Sequence, residues 1–264
     1  MAPAVLNMED ISLRRGDVTI LDGIDWCVRA GEHWAVLGPN GCGKTSLMMV
    51  ATGYLPASRG RVFLIEGHIS EIVLPEVRRR IGVVSGALAD VMLVHHPRAT
   101  GREVVLSGRY ASLGLYERPD RAALDRAASI LAELGAEVLA DVPFRIMSTG
   151  QRQICLIGRC RMADGDLVIL DEPCAGLDIA ARERVLNALT SACRNGSSPP
   201  HILVTHHPAE IVPGITHVLL MREGRVAACG PREEVLTAAH LSAAYGLPLH
   251  VEHRNGRVRV HPAD

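Results

Sequence analysis

Gly38-Pro39-Asn40-Gly41-Cys42-Gly43-Lys44-Thr45 (GPNGCGKT) is a complete G-x-x-x-x-G-K-[ST] phosphate loop. Its glycines let backbone N–H groups wrap a polyphosphate at the N-terminus of the helix that follows. Residues 38–45 with Ser46 are therefore the candidate nucleotide-binding set. Lys44 is expected to reach the β- and γ-phosphates, and the Thr45 hydroxyl to ligate Mg²⁺. Downstream, Leu167 to Pro173 read LVILDEP. Four apolar residues there predict a buried strand that delivers two carboxylates to its tip. Asp171 is placed to hold the metal, and Glu172 to orient or deprotonate a water.

The surroundings of these motifs predict an α/β fold. Val5 to Leu13, Thr19 to Val28 and His33 to Leu37 read as strands, separated by turns at Arg15-Gly16-Asp17 and Ala30-Gly31. Lys44 to Gly53 reads as the helix behind the phosphate loop. Arg61 to Ile65 and Arg80 to Val84 are further strands. From Gly86 the pattern turns helical, over Gly101 to Ser107 and Asp120 to Leu134; the latter aligns Ala123, Ala127, Ile130, Leu131 and Leu134 on one face. Helices at Gln151 to Arg161 and Ala180 to Cys193 alternate with strands at 167–170, His201 to Thr205 and His217 to Met221. Such alternation implies a largely parallel sheet covered by helices. Gly196 to Pro200 reads as a surface turn.

Composition removes several classes of function. The 264 residues carry a net charge of −1 and only 3% aromatics. Neither the basic footprint nor the stacking residues of a nucleic-acid binder are expected. The start, MAPAVLNMED, has no basic n-region or apolar h-region and reads as no secretory signal. No run of about 18 apolar residues predicts a membrane span. The seven cysteines include no C-x-x-C pair and read as small apolar residues in a reducing compartment. The histidine pairs His95-His96 and His206-His207 lack ligand spacing for zinc.

In order, GPNGCGKT, STGQ (Ser148 to Gln151), LVILDEP, AGLD (Ala175 to Asp178) and VTHH (Val204 to His207) resemble the ATP-binding subunit of ABC transporters along nearly the whole chain. The resemblance implies a single ABC domain over 1–264: a P-loop NTPase core with an N-terminal antiparallel β-subdomain, a helical subdomain inserted at 86–152, and a C-terminal extension at 231–264. Ser148, Gly150 and Gln151 then occupy the signature that binds the γ-phosphate of ATP held by a second subunit. Two chains, expected to be identical, would pair head to tail. His206 matches the switch histidine that contacts the γ-phosphate and the attacking water. Asp178 matches the D-loop carboxylate, although an aspartate before Ile179 also reads as a helix N-cap.

Three positions depart from the family pattern. Arg15 stands where an aromatic residue usually stacks on adenine; its guanidinium plane is a candidate replacement, with a solvated turn arginine as the alternative. The Q-loop glutamine expected after the strand ending near Ser85-Gly86 is missing, since Gln151 and Gln153 are the chain's only glutamines. Ser85 is a candidate to supply a hydroxyl there. Thr149 replaces the first glycine of the signature pair. Cys42, at the mouth of a helix, is either a thiol of lowered pKa or a small loop-filling residue. The subgroup resemblance is to molybdate and iron-chelate importers. It implies a Mg²⁺-dependent ATPase, peripheral on the cytoplasmic face of the membrane, working with an integral membrane permease; the alternative is a soluble ABC-type ATPase with a regulatory or assembly role.

Overall fold

The computed structural model describes residues 2–163, 165–194, 198–254 and 256–263. Gly196 and Ser197 of the expected surface turn lie outside them. In chain order the elements are β1 (Ala4–Arg15), β2 (Val18–Arg29), β3 (Trp34–Leu37), α1 (Lys44–Ala51), β4 (Arg59–Leu64), β5 (Gly67–His68) and α2 (Leu74–Arg79). There follow β6 (Ile81–Ser85), α3 (Gly86–His95), α4 (Gly101–Ser107), α5 (Arg121–Glu133), α6 (Thr149–Met162), β7 (Leu167–Asp171) and α7 (Ile179–Arg194). The chain closes with β8 (His201–Thr205), β9 (His217–Arg222), β10 (Arg225–Pro231), α8 (Arg232–Val235), α9 (Ala238–Tyr245), β11 (Leu249–Arg254) and β12 (Arg257–Pro262). They form two compact units, Met1–Arg78 with Thr190–Asp264, and Arg79–Leu189.

In the first unit, β2, β1, β4 and β5 form an antiparallel sheet in that order. The two long strands alternate inward residues such as Leu6, Met8, Ile11 and Leu21, Ile24, Trp26, all buried. β3 is buried at every residue and pairs in parallel with both β8 and β9, and β10 adds antiparallel to β9. Burial on both faces explains why β3 (WAVL) and β8 (HILVT) read as apolar runs without alternation. The β11–β12 hairpin is a separate two-stranded sheet.

In the second unit, β6 and β7 pair in parallel, with Ser85 opposite Asp171. Each main helix starts at a side-chain cap that the sequence supplies. Thr100 and Glu103 form a reciprocal capping box on α4, Asp120 accepts the Ala123 N–H on α5 at 2.7 Å, and Ser148 caps α6. Ala123, Ala127, Ile130 and Leu131 of α5 are buried as expected, whereas Leu134 caps the helix end and is only half-buried. The fold is the expected α/β class with parallel strand pairing and an antiparallel β-subdomain. α3 begins at Gly86, where the pattern turns helical; β5, α2, β10, α8, α9 and the β11–β12 hairpin have no counterpart among the expected elements.

Candidate functional site

The first unit contains the phosphate loop, Arg15 and His206. β3 runs straight into Gly38, and φ values of 157°, 78° and 100° at Gly38, Gly41 and Gly43 carry the chain through backbone space closed to most side chains. At Gly38 a Cβ would lie 2.4 Å from the Met221 carbonyl oxygen, so the loop rests directly on β9. α1 then begins behind Gly43 with no side-chain cap and no acidic residue in its first turn. α3, α4, α5, α6 and α9 all have side-chain caps, whereas α1, like the one-turn α8, has none. Uncapped N–H groups and the positive end of the helix dipole suit an anion. The buried Lys44 ammonium donates to the carbonyls of Gly38 (2.9 Å) and Pro39 (3.0 Å), which holds its charge at the same mouth.

Of its two readings, Cys42 takes that of a small residue filling the loop. Burial pushes its thiol up, outweighing the Lys44 charge that lowers it, so it is not an activated thiolate. Arg15 is exposed at the end of β1, opposite Val18 across the hairpin, and Val18 is itself 65% exposed. His206 follows β8. Its carbonyl accepts the Tyr245 hydroxyl at 2.8 Å, and its ring lies 3.8 Å from that of His207. Nothing local in the sequence marks Tyr245, because a contact across 39 residues leaves no local signal.

The second unit contains Asp171, Glu172, Ser148, Gly150, Gln151 and Asp178. Glu172 adopts φ 50° directly ahead of Pro173. A left-handed residue other than glycine costs on the order of 1 kcal/mol or more, and a following proline restricts it further. β7 thus ends in a forced kink at this carboxylate. The Ser148 hydroxyl accepts the Gln151 N–H at 3.3 Å, and the Gln151 side chain returns to accept the Ser148 N–H at 2.8 Å. At Gly150 a Cβ would meet the Ala181 side chain at 2.9 Å, so glycine lets α6 approach the start of α7. Asp178 caps α7 by accepting the Ala181 N–H at 2.7 Å, the geometry of the simpler of its two sequence readings. The Ser85 hydroxyl accepts the Leu88 N–H at 3.2 Å and so caps α3.

Three buried residues of the first unit, His33, Cys193 and His201, bring their ligand atoms within 4.8 Å of one another, which sequence spacing did not reveal. Backbone groups already occupy the rings. His33 Nδ1 accepts the His201 N–H at 3.2 Å, and His201 Nδ1 donates to the Pro199 carbonyl at 2.8 Å. Burial, helped by the neighbouring His33, pulls the His201 pKa down to about 4, and burial lowers that of His33 as well. Both histidines therefore fold neutral and protonate more readily in the unfolded chain. Stability is full above the ordinary histidine pKa near 6.5. It falls as pH drops from there to about 4, by on the order of 3 kcal/mol for His201. Thermal melts from pH 7.5 to 4.5 should show this loss, and His201→Gln should flatten its slope.

A glycine loop of this geometry, leading from a parallel strand into a bare helix N-terminus, defines a phosphate-loop nucleotide-binding protein. The sequence model of the ABC transporter family matches residues 21–175, and the chain belongs to that family as an ABC transporter ATP-binding protein. It is 39% identical over 249 residues to an uncharacterised ABC transporter ATP-binding protein, YlmA, of Bacillus subtilis, covering 94% of this chain and 93% of the relative. It is 35% identical over 253 residues to the hemin import ATP-binding protein HmuV of Streptomyces coelicolor, covering 94% and 86%. Its fold is similar to the solved structure of cbiO1 from Clostridium perfringens, part of the ABC transporter complex cbiONQ, with a TM-score of 0.74, 26% identity and coverage of 91% and 93%. No helix among the described residues is long and apolar enough to cross a membrane.

Proposed function

We propose that the chain hydrolyses ATP to ADP and phosphate and thereby drives transport through a separate membrane permease. The observation that carries the nucleotide reading is the bare N-terminus of α1 behind the glycine cradle, with the Lys44 ammonium at its mouth. Lys44 and the loop amides of residues 38–46 hold the phosphates. Glu172 takes the proton of the attacking water as it adds in line to the γ-phosphorus, and His206 orients that water. The oxygen donors Thr45 and Asp171 fit Mg²⁺, a hard cation, which when bound supplies charge neutralisation on the phosphates.

A second chain is part of this reading. The signature at Ser148–Gln151 serves ATP held by a partner, and the side chains around it are consistent with a covered face. Ile146 is 67% exposed two residues before Ser148, and Ile179 is 86% exposed directly after Asp178. For the permease, the supporting observation is α3. Its sequence, GALADVMLVH, is apolar on nearly every side, yet only Met92 is buried, and Val91 and Val94 are exposed. A helix of that kind ordinarily meets another apolar surface. The occupant we infer is the membrane subunit. The resulting location is the cytoplasmic face of the membrane, and nucleic acid is no partner.

The tagged full chain, expressed with its genomic neighbours and extracted in mild detergent, should retain a multi-span membrane protein. Val91→Asp with Val94→Asp should lose it while ATPase activity persists. Extraction without any membrane protein would favour the soluble regulatory ATPase, the reading that the absent Q-loop glutamine also favours.

Adenine contact is assigned to Arg15, with Val18 beside it as an apolar ledge. Replacing Arg15 with Ala is expected to weaken ATP binding by about 1 kcal/mol, roughly five-fold in Kd, with kcat nearly unchanged. Titration calorimetry measures this directly, and an unchanged Kd would remove Arg15 from the site.

A further inference from the structure

We infer that Tyr245, in the C-terminal extension, is a positioning residue for His206; this rests on the reading of His206 as the residue that orients the attacking water. The peptide unit between His206 and His207 is pinned at both of its polar groups. Its carbonyl accepts the Tyr245 hydroxyl at 2.8 Å, and its N–H donates to the Thr205 hydroxyl oxygen at 3.1 Å. Thr205 is fully buried, and its own hydroxyl donates to the buried Glu210 carboxylate at 2.5 Å. The inner pin is therefore fixed from the core by a residue on the same loop. The outer pin comes from α9, well outside that loop.

α9 is itself anchored beside the phosphate loop. Arg222 at the end of β9 donates to the Ala243 carbonyl, and the Gly224 N–H in the next turn donates to the Cys42 carbonyl at 3.1 Å. Tyr245, Arg222 and Glu223 line a cleft of about 250 Å³ together with Pro39, Asn40 and Gly41. Below α9 the β11–β12 hairpin is also fastened to this region. Val258 of β12 is fully buried, β12 packs on the 3-10 turn Pro208–Glu210, and the Gly256 carbonyl accepts Arg232. One tyrosine thus bridges the loop that binds phosphate and the backbone that aims His206. A displacement of α9 would be felt at both.

A hydroxyl that fixes a peptide plane acts on how well the water is oriented and not on how tightly ATP binds. Tyr245→Phe keeps the ring and removes the hydroxyl that makes the outer pin. It is expected to lower kcat about five- to ten-fold while KM for ATP changes less than two-fold. The melting temperature should stay within about 2 °C of wild type, since the lost bond is half-exposed. His207 amide exchange should quicken with the pin gone. The full-length Tyr245→Phe and His206→Ala proteins are compared in steady-state phosphate release. If His206→Ala is inactive and Tyr245→Phe matches wild type, or raises KM with kcat intact, the inference is overturned and the reading of His206 stands. If His206→Ala turns over normally, the reading of His206 itself fails, and the inference with it.

Discussion

Glu172→Gln is expected to lower ATP turnover by about 10² to 10⁴-fold while leaving ATP affinity within a few-fold of wild type. The amide is nearly isosteric with the carboxylate but cannot accept the proton that the attacking water must lose. At the transition state this corresponds to roughly 3 to 5 kcal/mol. The backbone gives a reason to choose Gln over Ala. Glu172 sits at φ 50° before Pro173, and a substitution that preserves size leaves the strained turn packed as it is. Single-turnover phosphate release and a nucleotide-binding titration, run on the same preparation, separate the two quantities. Turnover within ten-fold of wild type would place the base elsewhere.

Lys44→Ala is expected to fail at the earlier step. The ammonium is buried and donates to Gly38 and Pro39, so its only formal charge is already committed to the loop that would receive phosphate. A charge-assisted bond to a phosphate oxygen is worth about 2 to 3 kcal/mol, which predicts ATP binding weaker by roughly 30- to 150-fold. Turnover at low ATP should fall at least as far. The fold should survive, because α1 is held by Leu47, Met48 and Val50 in the core and not by Lys44. The two variants therefore separate: Glu172→Gln binds and does not turn over, whereas Lys44→Ala scarcely binds. Calorimetry on the pair reads that difference, and an Ala variant that binds as wild type would detach Lys44 from the phosphates.

Local chemistry made a good part of the molecule legible in the sequence. The phosphate loop, the LVILD strand and the Asp178 cap each follow from a short run of residue types whose effect is confined to one turn or one strand. α4 and β8 occupy the expected residues without change. α3 begins where the pattern turns helical at Gly86, but GALADVMLVH is apolar on nearly all sides and has no period from which to read its bounds. The C-terminal hairpin is not legible for the opposite reason: β11 (LHVEHR) and β12 (RVRVHP) are mostly charged or histidine, and Val258 is their one fully buried residue.

At the candidate site, residue identity could be read and environment could not. The sequence left Cys42 open between a lowered thiol pKa and a small loop-filling residue, and burial, a tertiary property, decides for the second by pushing the pKa up. The left-handed backbone at Glu172 runs against the ordinary preference of its residue type, and the Tyr245 hydroxyl reaches the His206 carbonyl from 39 residues away. The buried His33–Cys193–His201 group likewise gathers residues that no spacing rule joins.

In the proposed function, ATP draws two copies of this chain together, each signature completing the other's site. Sedimentation velocity of the full-length Glu172→Gln protein, with and without saturating Mg²⁺–ATP, tests it most directly. A single-chain species is expected without nucleotide and a two-chain species with ATP, the latter lost when Ser148 is also changed to Arg. A protein that stays a single chain at ATP concentrations shown to fill its phosphate loop would contradict it.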